Sequence, residues 1–256
     1  MLMRTVLWVA YVSLQVVVVL LAGGAGCVSP VEPGLEGVRY LAFGDSATAG
    51  PSERDYPDIL REQLGVEPAV FANEGRGGET TEAGLERLRE LSGQDACPDV
   101  EVLLYWEGGN DVTAFIEAHD RFLLSSPLAA DYRLAAELAL ELDEIEANVA
   151  AAVALGQGAG WRVHVATFYP LREDLGLCAA LPLDFILPFQ ARNANDYVLL
   201  LNERIRLAAE QTGAVLVDVA TLGETLTADP DNYHNCNHLS VQGNELVAEL
   251  FASTLR

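Results

Sequence analysis

The sequence predicts an α/β protein in which helices cover both faces of a five-stranded, mostly parallel sheet. Three observations support this prediction. Five short apolar runs have the length of buried strands, four longer segments have helical periodicity, and the two kinds largely alternate along the chain. Strands separated by helices need right-handed crossovers, which make the strands parallel and place helices on both faces. A chain of 256 residues without internal repeats is long enough for one such domain.

The predicted strands are short apolar segments that end at glycine or polar residues. The first run, for example, stops at Gly44. Continuous apolar character over so few residues is typical of a strand that is buried on both faces. The five predicted strands are residues 38–43, 69–72, 100–106, 161–168 and 214–219.

The predicted helices have apolar residues at helical spacing and acidic residues on the opposite face. In the first of them, Leu85, Leu88 and Leu91 follow a helical period. Gly213 closes the third helix, and Ser240 is positioned to cap the fourth. The four predicted helices are residues 80–91, 134–155, 194–211 and 240–255.

Residues 1–26 are predicted to be a signal peptide. Arg4 precedes an uncharged, apolar stretch that ends in small residues, and Cys27 follows directly. Residues 25–27 resemble the end of a bacterial lipobox, in which the cysteine is lipidated, although Gly24 stands where that motif usually has leucine. Simple cleavage nearby and an uncleaved anchor are the alternatives. All three export the domain, either lipid-anchored to a bacterial membrane or periplasmic or secreted, behind a tether of residues 27–37.

The charge of the chain excludes two classes of partner. The formal net charge is −23, and the acidic side chains number 38 against 15 cationic ones, all of them arginine. Nucleic acid and anionic lipid both need clustered cations. We therefore expect no nucleic acid partner and membrane contact only through the N-terminal lipid or anchor. A monomer is also expected.

The four cysteines fit an oxidising compartment. With Cys27 lipidated, Cys97, Cys178 and Cys236 remain. The favoured hypothesis pairs Cys178 with Cys236, because both lie in loops between late elements, and leaves Cys97 unpaired. The alternative is that all three are free thiols, since connectivity does not follow from sequence.

Chemically capable residues follow the predicted strands at their carboxyl ends, where parallel sheets bind ligands. Ser46 follows the first strand, Gly78 the second and Asn110 the third, while His234 and His238 precede the last helix. A hydroxyl, a glycine-rich turn, a carboxamide and an imidazole are the groups that acyl transfer requires.

These blocks resemble those of the SGNH (GDSL) hydrolases, in the same order. They are residues 43–46 (FGDS), 73–80 (NEGRGGET), 108–111 (GGND) and 238–243 (HLSVQG). The resemblance covers residues 38–255, within a hydrolase domain of residues 38–256. It implies a flavodoxin-like three-layer α/β/α sandwich that hydrolyses esters without a metal or cofactor.

The resemblance also implies roles. Ser46 would be the nucleophile, and its N–H, the Gly78 N–H and the Asn110 side chain would hold the oxyanion. The plain alternatives are a helix cap for Ser46, a tight turn for Gly78 and a capping residue for Asn110. Asp45 is expected to fix the turn.

The chain departs from the family pattern at the residue that would orient the catalytic histidine. The family usually has aspartate three residues before the catalytic histidine, a position that Asn235 occupies if His238 is the base. Asp231 has that spacing to His234, so His234 is an alternative base. The five-residue spacing to Gly243 favours His238. The imidazole of His238 would then be oriented by Asn235, by a backbone carbonyl or by a displaced Asp231.

The sequence therefore predicts a serine ester hydrolase that acts on a small-molecule or glycan ester with a short or medium acyl group. The rivals are a carbohydrate O-acyltransferase and an inactive cell-surface binding domain. Zinc binding by His234, Cys236 and His238 is a weaker alternative, because it would consume the base. The loops at residues 114–133 and 169–192 are expected to shape the substrate pockets.

Overall fold

Five parallel strands form the centre of the structure, a computed structural model that describes residues 35–93, 97–129, 132–173 and 187–256. The strand order is β2-β1-β3-β4-β5, and every neighbouring pair is parallel. The strands are β1 (Tyr40–Gly44), β2 (Phe71–Gly75), β3 (Val102–Trp106), β4 (Arg162–Ala166) and β5 (Val215–Val217). The predicted α/β fold with a five-stranded sheet is confirmed.

Two hydrophobic cores lie on opposite faces of this sheet. Successive strand side chains point to opposite faces, so Leu103 and Tyr105 belong to one core, and Leu104 and Trp106 to the other. The helices are α1 (Ser46–Ala49), α2 (Tyr56–Leu64), α3 (Thr81–Gly93), α4 (Gly109–His119), α5 (Tyr132–Gly158), α6 (Pro188–Thr212), α7 (Gly223–Ala228) and α8 (Val241–Leu255). Helices α3, α4, α5 and α6 cover the first face, while α2 and α8 cover the second. The result is the three-layer sandwich that the resemblance implied.

The helix predictions need correction. The sequence analysis missed α1, α2, α4 and α7, and α6 begins at Pro188 rather than at residue 194. The start of α4 lies in the glycine-rich block at residues 108–111, whose composition favours a turn. Pro188 takes the first helical position, where its missing N–H would have no partner in any case. Both loops predicted to shape pockets are therefore partly helical.

The start of α8 confirms the predicted cap, since the Ser240 side chain accepts a hydrogen bond from the Gly243 N–H. The predicted signal peptide, Cys27, most of the tether and Cys178 lie outside the described residues. Within the four described ranges, no helix combines the length and the apolar character needed to cross a membrane.

The cysteines partly follow the prediction. Cys97 is a buried free thiol, and burial raises its pKa to about 11. Cys236 is disulfide-bonded, so the alternative in which all three cysteines are free is wrong. The pairing with Cys178 stays a prediction.

Candidate active site

Ser46 and His238, which are 192 residues apart in the sequence, are joined by a hydrogen bond. Nε2 of His238 lies 2.9 Å from Oγ of Ser46. Ser46 is the first residue of α1 and is separated from the end of β1 only by Asp45, and His238 lies in the loop before α8. At this distance an imidazole can accept the proton of an attacking hydroxyl. The fold thus brings together the predicted nucleophile and the favoured predicted base.

The turn that presents Ser46 depends on Asp45 and Gly44. Asp45 caps α1, because its carboxylate accepts a 2.7 Å hydrogen bond from the Ala47 N–H. The expectation that Asp45 fixes the turn is confirmed, and the interpretation of Ser46 as the helix cap is wrong. A β-carbon at position 44 would lie 2.2 Å from the carbonyl oxygen of Trp106, so only glycine fits. Burial raises the pKa of Asp45 to about 7.

Backbone contacts join the two ends of the loop that carries His238. Tyr233 and Leu239 form an isolated antiparallel bridge across it. A β-carbon at Gly243 would lie 2.2 Å from the carbonyl oxygen of Asn232, so the first turn of α8 packs directly against the start of the loop. This contact gives a physical reason for a glycine five residues after His238.

Two tyrosine hydroxyls brace the same loop against the segment after β4. The Tyr169 hydroxyl donates to the carbonyl oxygen of Asn237 at 2.8 Å, and the Tyr233 hydroxyl donates to that of Pro170 at 2.7 Å. Cys236, in the middle of the loop, is buried and disulfide-bonded. The part of the loop that precedes His238 is therefore held to the segment after β4 at two positions.

Asn235 fixes which ring nitrogen of His238 carries the proton. Its Oδ1 accepts from the backbone N–H of Asn237 at 3.1 Å and from that of His238 at 2.9 Å. It also lies 3.2 Å from Nδ1 of His238. Because backbone N–H groups can only donate, the amide oxygen must face them, and Nδ1 must then carry the hydrogen. Nε2 is left with its lone pair toward Ser46, which is the tautomer a general base needs.

The environment of the imidazole favours its neutral form. Burial lowers the pKa of His238 below the ordinary histidine value, and nearby His234 lowers it further. His234 is itself exposed, and its backbone N–H donates to the carbonyl oxygen of His238 at 2.9 Å. Asp231 is also exposed, and its carbonyl oxygen accepts from the Ser240 hydroxyl. Among the described residues, Asn235 rather than Asp231 lies against Nδ1.

The predicted oxyanion donors are the Ser46 N–H, the Gly78 N–H and the Asn110 side chain. Neither the Ser46 N–H nor the Gly78 N–H has an acceptor within the described part of the chain. Gly78 has a φ of +83°, and a β-carbon at the preceding Gly77 would lie 4.0 Å from that of Ser46. Asn110 donates from Nδ2 to the carbonyl oxygen of Glu79 at 2.9 Å. A carboxamide NH₂ has two hydrogens, so one remains available.

The loop that contains Gly78 is tied to the nucleophile turn by Asn73. Its Nδ2 donates to the carbonyl oxygen of Thr48 at 3.1 Å, and its Oδ1 accepts from the Gly75 N–H at 3.0 Å. A β-carbon at Gly75 would lie 2.2 Å from the backbone nitrogen of Ala49, so the two segments are in close contact. Asn73 therefore supports the loop.

A mainly apolar cavity of about 90 Å³ opens beside Ser46, Asn110 and His238. Its described walls come from α4, from α6 and from the segment after β4. The apolar lining residues are Val112, Ile116, Phe168, Tyr169, Leu171, Ala194, Val198 and Leu201. The sequence analysis did not single them out, because α4 was missed and the apolar positions of α6 look like those of any packed helix.

Comparison with known families agrees with this geometry. The pattern of the GDSL-like Lipase/Acylhydrolase family matches residues 42–246, which is most of the chain. The chain belongs to this family. The resemblance seen in the four sequence blocks is thereby confirmed. A search of curated proteins finds no match.

Solved structures share the fold of this GDSL-family chain. The lipase Lip_vut3 from a goat rumen metagenome is 14% identical with a TM-score of 0.60, and covers 85% of this chain and 97% of its own. An acetyl xylan esterase, AlAXEase, is 21% identical with a TM-score of 0.54, covering 86% and 100%. The esterase EstA from Pseudoalteromonas sp. is 19% identical with a TM-score of 0.54, covering 85% and 96%. Family and neighbours together support an ester hydrolase in general terms.

The GDSL-family site also contains buried acids that the sequence analysis missed. Glu79, Glu107 and Asp111 follow the ends of β2 and β3, close to the predicted oxyanion donors. Asp111 accepts from the N–H and hydroxyl of Thr81 and so caps α3. Glu107 had a signal in the sequence, since it is a charged residue between an apolar strand and two glycines.

Within the described ranges, no three histidine, cysteine or acidic side chains are grouped so as to hold a metal ion. The described geometry thus gives no support to zinc binding by His234, Cys236 and His238. His238 is instead bonded to Ser46 and Asn235.

Proposed function

We propose that this protein hydrolyses carboxylic esters through an acyl-enzyme on Ser46, with His238 as the general base. The observation that carries the proposal is the 2.9 Å contact between Nε2 of His238 and Oγ of Ser46, combined with the tautomer that Asn235 imposes. His238 takes the proton of Ser46 as Oγ attacks the ester carbonyl. It then gives that proton to the leaving alcohol and activates a water for deacylation.

The developing oxyanion is held by the Ser46 N–H, the Gly78 N–H and the second N–H of Asn110. The two backbone donors have no other acceptor among the described residues, and the Asn110 side chain is already oriented by the carbonyl oxygen of Glu79. Donors that are fixed before reaction need no reorganisation, and each is worth about 2.7–4 kcal/mol in the transition state.

The size of the cavity supports a short acyl group. An engineered apolar cavity of about 150 Å³ holds one benzene molecule, and this cavity of about 90 Å³ is smaller. We infer an acyl chain of roughly two to four carbons. A neighbour of the same fold is an acetyl xylan esterase, which makes O-acetylated glycans a reasonable substrate class alongside small esters.

The location proposed for this activity is outside the cytoplasm. The proposal depends on the signal-like segment at residues 1–26 and on Cys27, with lipid anchoring, periplasmic location and secretion as its variants. The disulfide at Cys236 supports an oxidising compartment.

The test uses p-nitrophenyl esters from acetate to decanoate, with wild type and Ser46→Ala. We expect turnover that is highest for acetate to butyrate and absent in Ser46→Ala, and a fluorophosphonate probe should label Ser46 in wild type. No turnover and no labelling would favour the binding-domain hypothesis. Transfer of acetyl to a glycan hydroxyl in preference to water would favour the O-acyltransferase.

A further inference from the structure

The chain leaves the sheet after β4, and its backbone then finds hydrogen-bond partners on α6. The ladder between β4 and β5 ends with the pair Ala166 and Val217. Phe168 and Leu171 follow in a segment that belongs to no strand or helix. Backbone N–H and C=O groups that are withdrawn from water need partners, so this segment needs a substitute for the neighbouring strand.

Two asparagine side chains of α6 provide that substitute. Oδ1 of Asn202 accepts from the N–H of Phe168 at 2.7 Å, and its Nδ2 donates to the carbonyl oxygen of the same residue at 2.7 Å. Asn195 makes the same pair of bonds with Leu171, at 2.7 and 3.0 Å. A carboxamide carries both an acceptor and donors, so each asparagine replaces both partners that a strand would offer.

The spacing of the two asparagines matches the segment that they bind. They are seven residues apart on α6, which is about 10.5 Å along a helix axis. The three residues from Phe168 to Leu171 span about 10 Å when extended. The segment therefore runs antiparallel to α6, and both pairs of bonds form in one register.

The residues held in this way form part of the cavity beside Ser46. Phe168 and Leu171 both line it. Val198 lines it too, and this residue lies three positions after Asn195 and four before Asn202, on the same face of α6. The two asparagines thus fix the segment after β4 against the helix on either side of a cavity-lining position.

The ring of Phe168 extends this wall toward the oxyanion donors. A β-carbon at Gly109 would lie 3.0 Å from Cε1 of Phe168, and Gly109 directly precedes Asn110. The ring also packs against Trp106, with 5.7 Å between ring centroids. The backbone position of Phe168 therefore affects the space next to the reacting carbonyl.

Asn202 is only 4% exposed, so its bonds to Phe168 are shielded from water. Replacing it with an apolar residue would leave a buried N–H and a buried C=O without partners. A fixed wall rejects an acyl chain that is too long, whereas a wall that shifts accommodates it. We propose that Asn195 and Asn202 are positioning residues for acyl specificity: by fixing Leu171 and Phe168 they set the upper length of the acyl group. This inference rests on the proposed function.

The test compares kcat/KM for p-nitrophenyl acetate and octanoate in Asn202→Leu and Asn195→Leu. A hydrophobic pocket discriminates about 10–200-fold per methylene, so the octanoate-to-acetate ratio should rise at least about tenfold in each variant. A ratio is measured because loss of stability alone lowers both rates equally. If Asn202→Leu does not fold, the half-buried position 195 still provides the test.

Asn193→Leu is the matched control. Asn193 is also on α6 and also donates to a backbone carbonyl, that of Leu123, which is not among the described residues that line the cavity. This variant should keep the wild-type ratio. Phe168→Ala removes the ring itself and should raise the ratio as the asparagine variants do.

Amide hydrogen exchange measured by NMR tests the bonds without using activity. The N–H groups of Phe168 and Leu171 should exchange slowly in wild type. Asn202→Leu should accelerate exchange at Phe168 more than at Leu171, and Asn195→Leu should do the reverse.

Two results would overturn the proposal: a wild-type ratio in both asparagine variants, or unchanged exchange at Phe168 and Leu171. If instead wild type shows no turnover that depends on Ser46, the proposed function fails. The exchange rates would still decide whether the two asparagines hold the segment after β4.

Discussion

The two sides of Ser46 are stabilised by different chemistry. On the base side, His238 is held by an amide oxygen, backbone N–H groups and tyrosine hydroxyls, all of them neutral. On the oxyanion side, the loop after β2 is held by Glu79 and Arg87 and bordered by further buried acids. Neutral support leaves the imidazole without a counterion, whereas the loop on the other side is held by a buried ion pair.

The largest expected effect separates the two histidines of the base side. His238→Gln should lower kcat about 10⁴-fold or more, because the proton of Ser46 then has no acceptor. His234→Gln is the matched control, since this exposed side chain lies only four residues away, and it should change kcat less than about threefold. Steady-state kinetics on p-nitrophenyl acetate would measure both. A larger loss of kcat in the His234 variant would identify His234, rather than His238, as the base.

The second-largest expected effect is a loss of kcat on the oxyanion side. Asn110→Ala should lower kcat about 10²–10³-fold with KM nearly unchanged, because the amide stabilises only the transition state. Asn193→Ala is a suitable control, since Asn193 also donates from Nδ2 to a backbone carbonyl, that of Leu123 at 2.7 Å, away from Ser46. Equal losses in the two variants would show that Asn110 acts through stability alone.

The sequence predicted the reactive residues on both sides of Ser46 but not what holds them in place. Ser46 and His238 are found from motif order, and β1 and β3 from their apolar runs. The role of Asn235 depends on two backbone N–H groups that orient its amide, which no spacing rule shows. Glu107 is the harder case. Its burial requires space at Gly84, 23 residues earlier on another element, which no local sequence pattern shows.

The smallest expected effect tests the neutral character of the base side. Asn235→Asp places a carboxylate 3.2 Å from Nδ1 of His238. An opposite charge so close favours the imidazolium and should raise the pKa of His238 by about one unit or more. Since only neutral His238 can accept a proton, the acid limb of kcat/KM should move to higher pH, while the rate above that limb changes less than about tenfold.

The matched variants assign this shift to position 235. Asp231→Asn removes the other candidate partner, and because Asp231 is exposed its variant should keep the wild-type acid limb. Asn235→Leu removes the amide oxygen that selects the tautomer, so it should lower kcat more than Asp231→Asn does, with both proteins equally folded by circular dichroism. An acid limb that stays in place in Asn235→Asp but moves in Asp231→Asn would make Asp231 the partner of His238. The base side would then be charged after all, and the difference between the two sides of Ser46 would disappear.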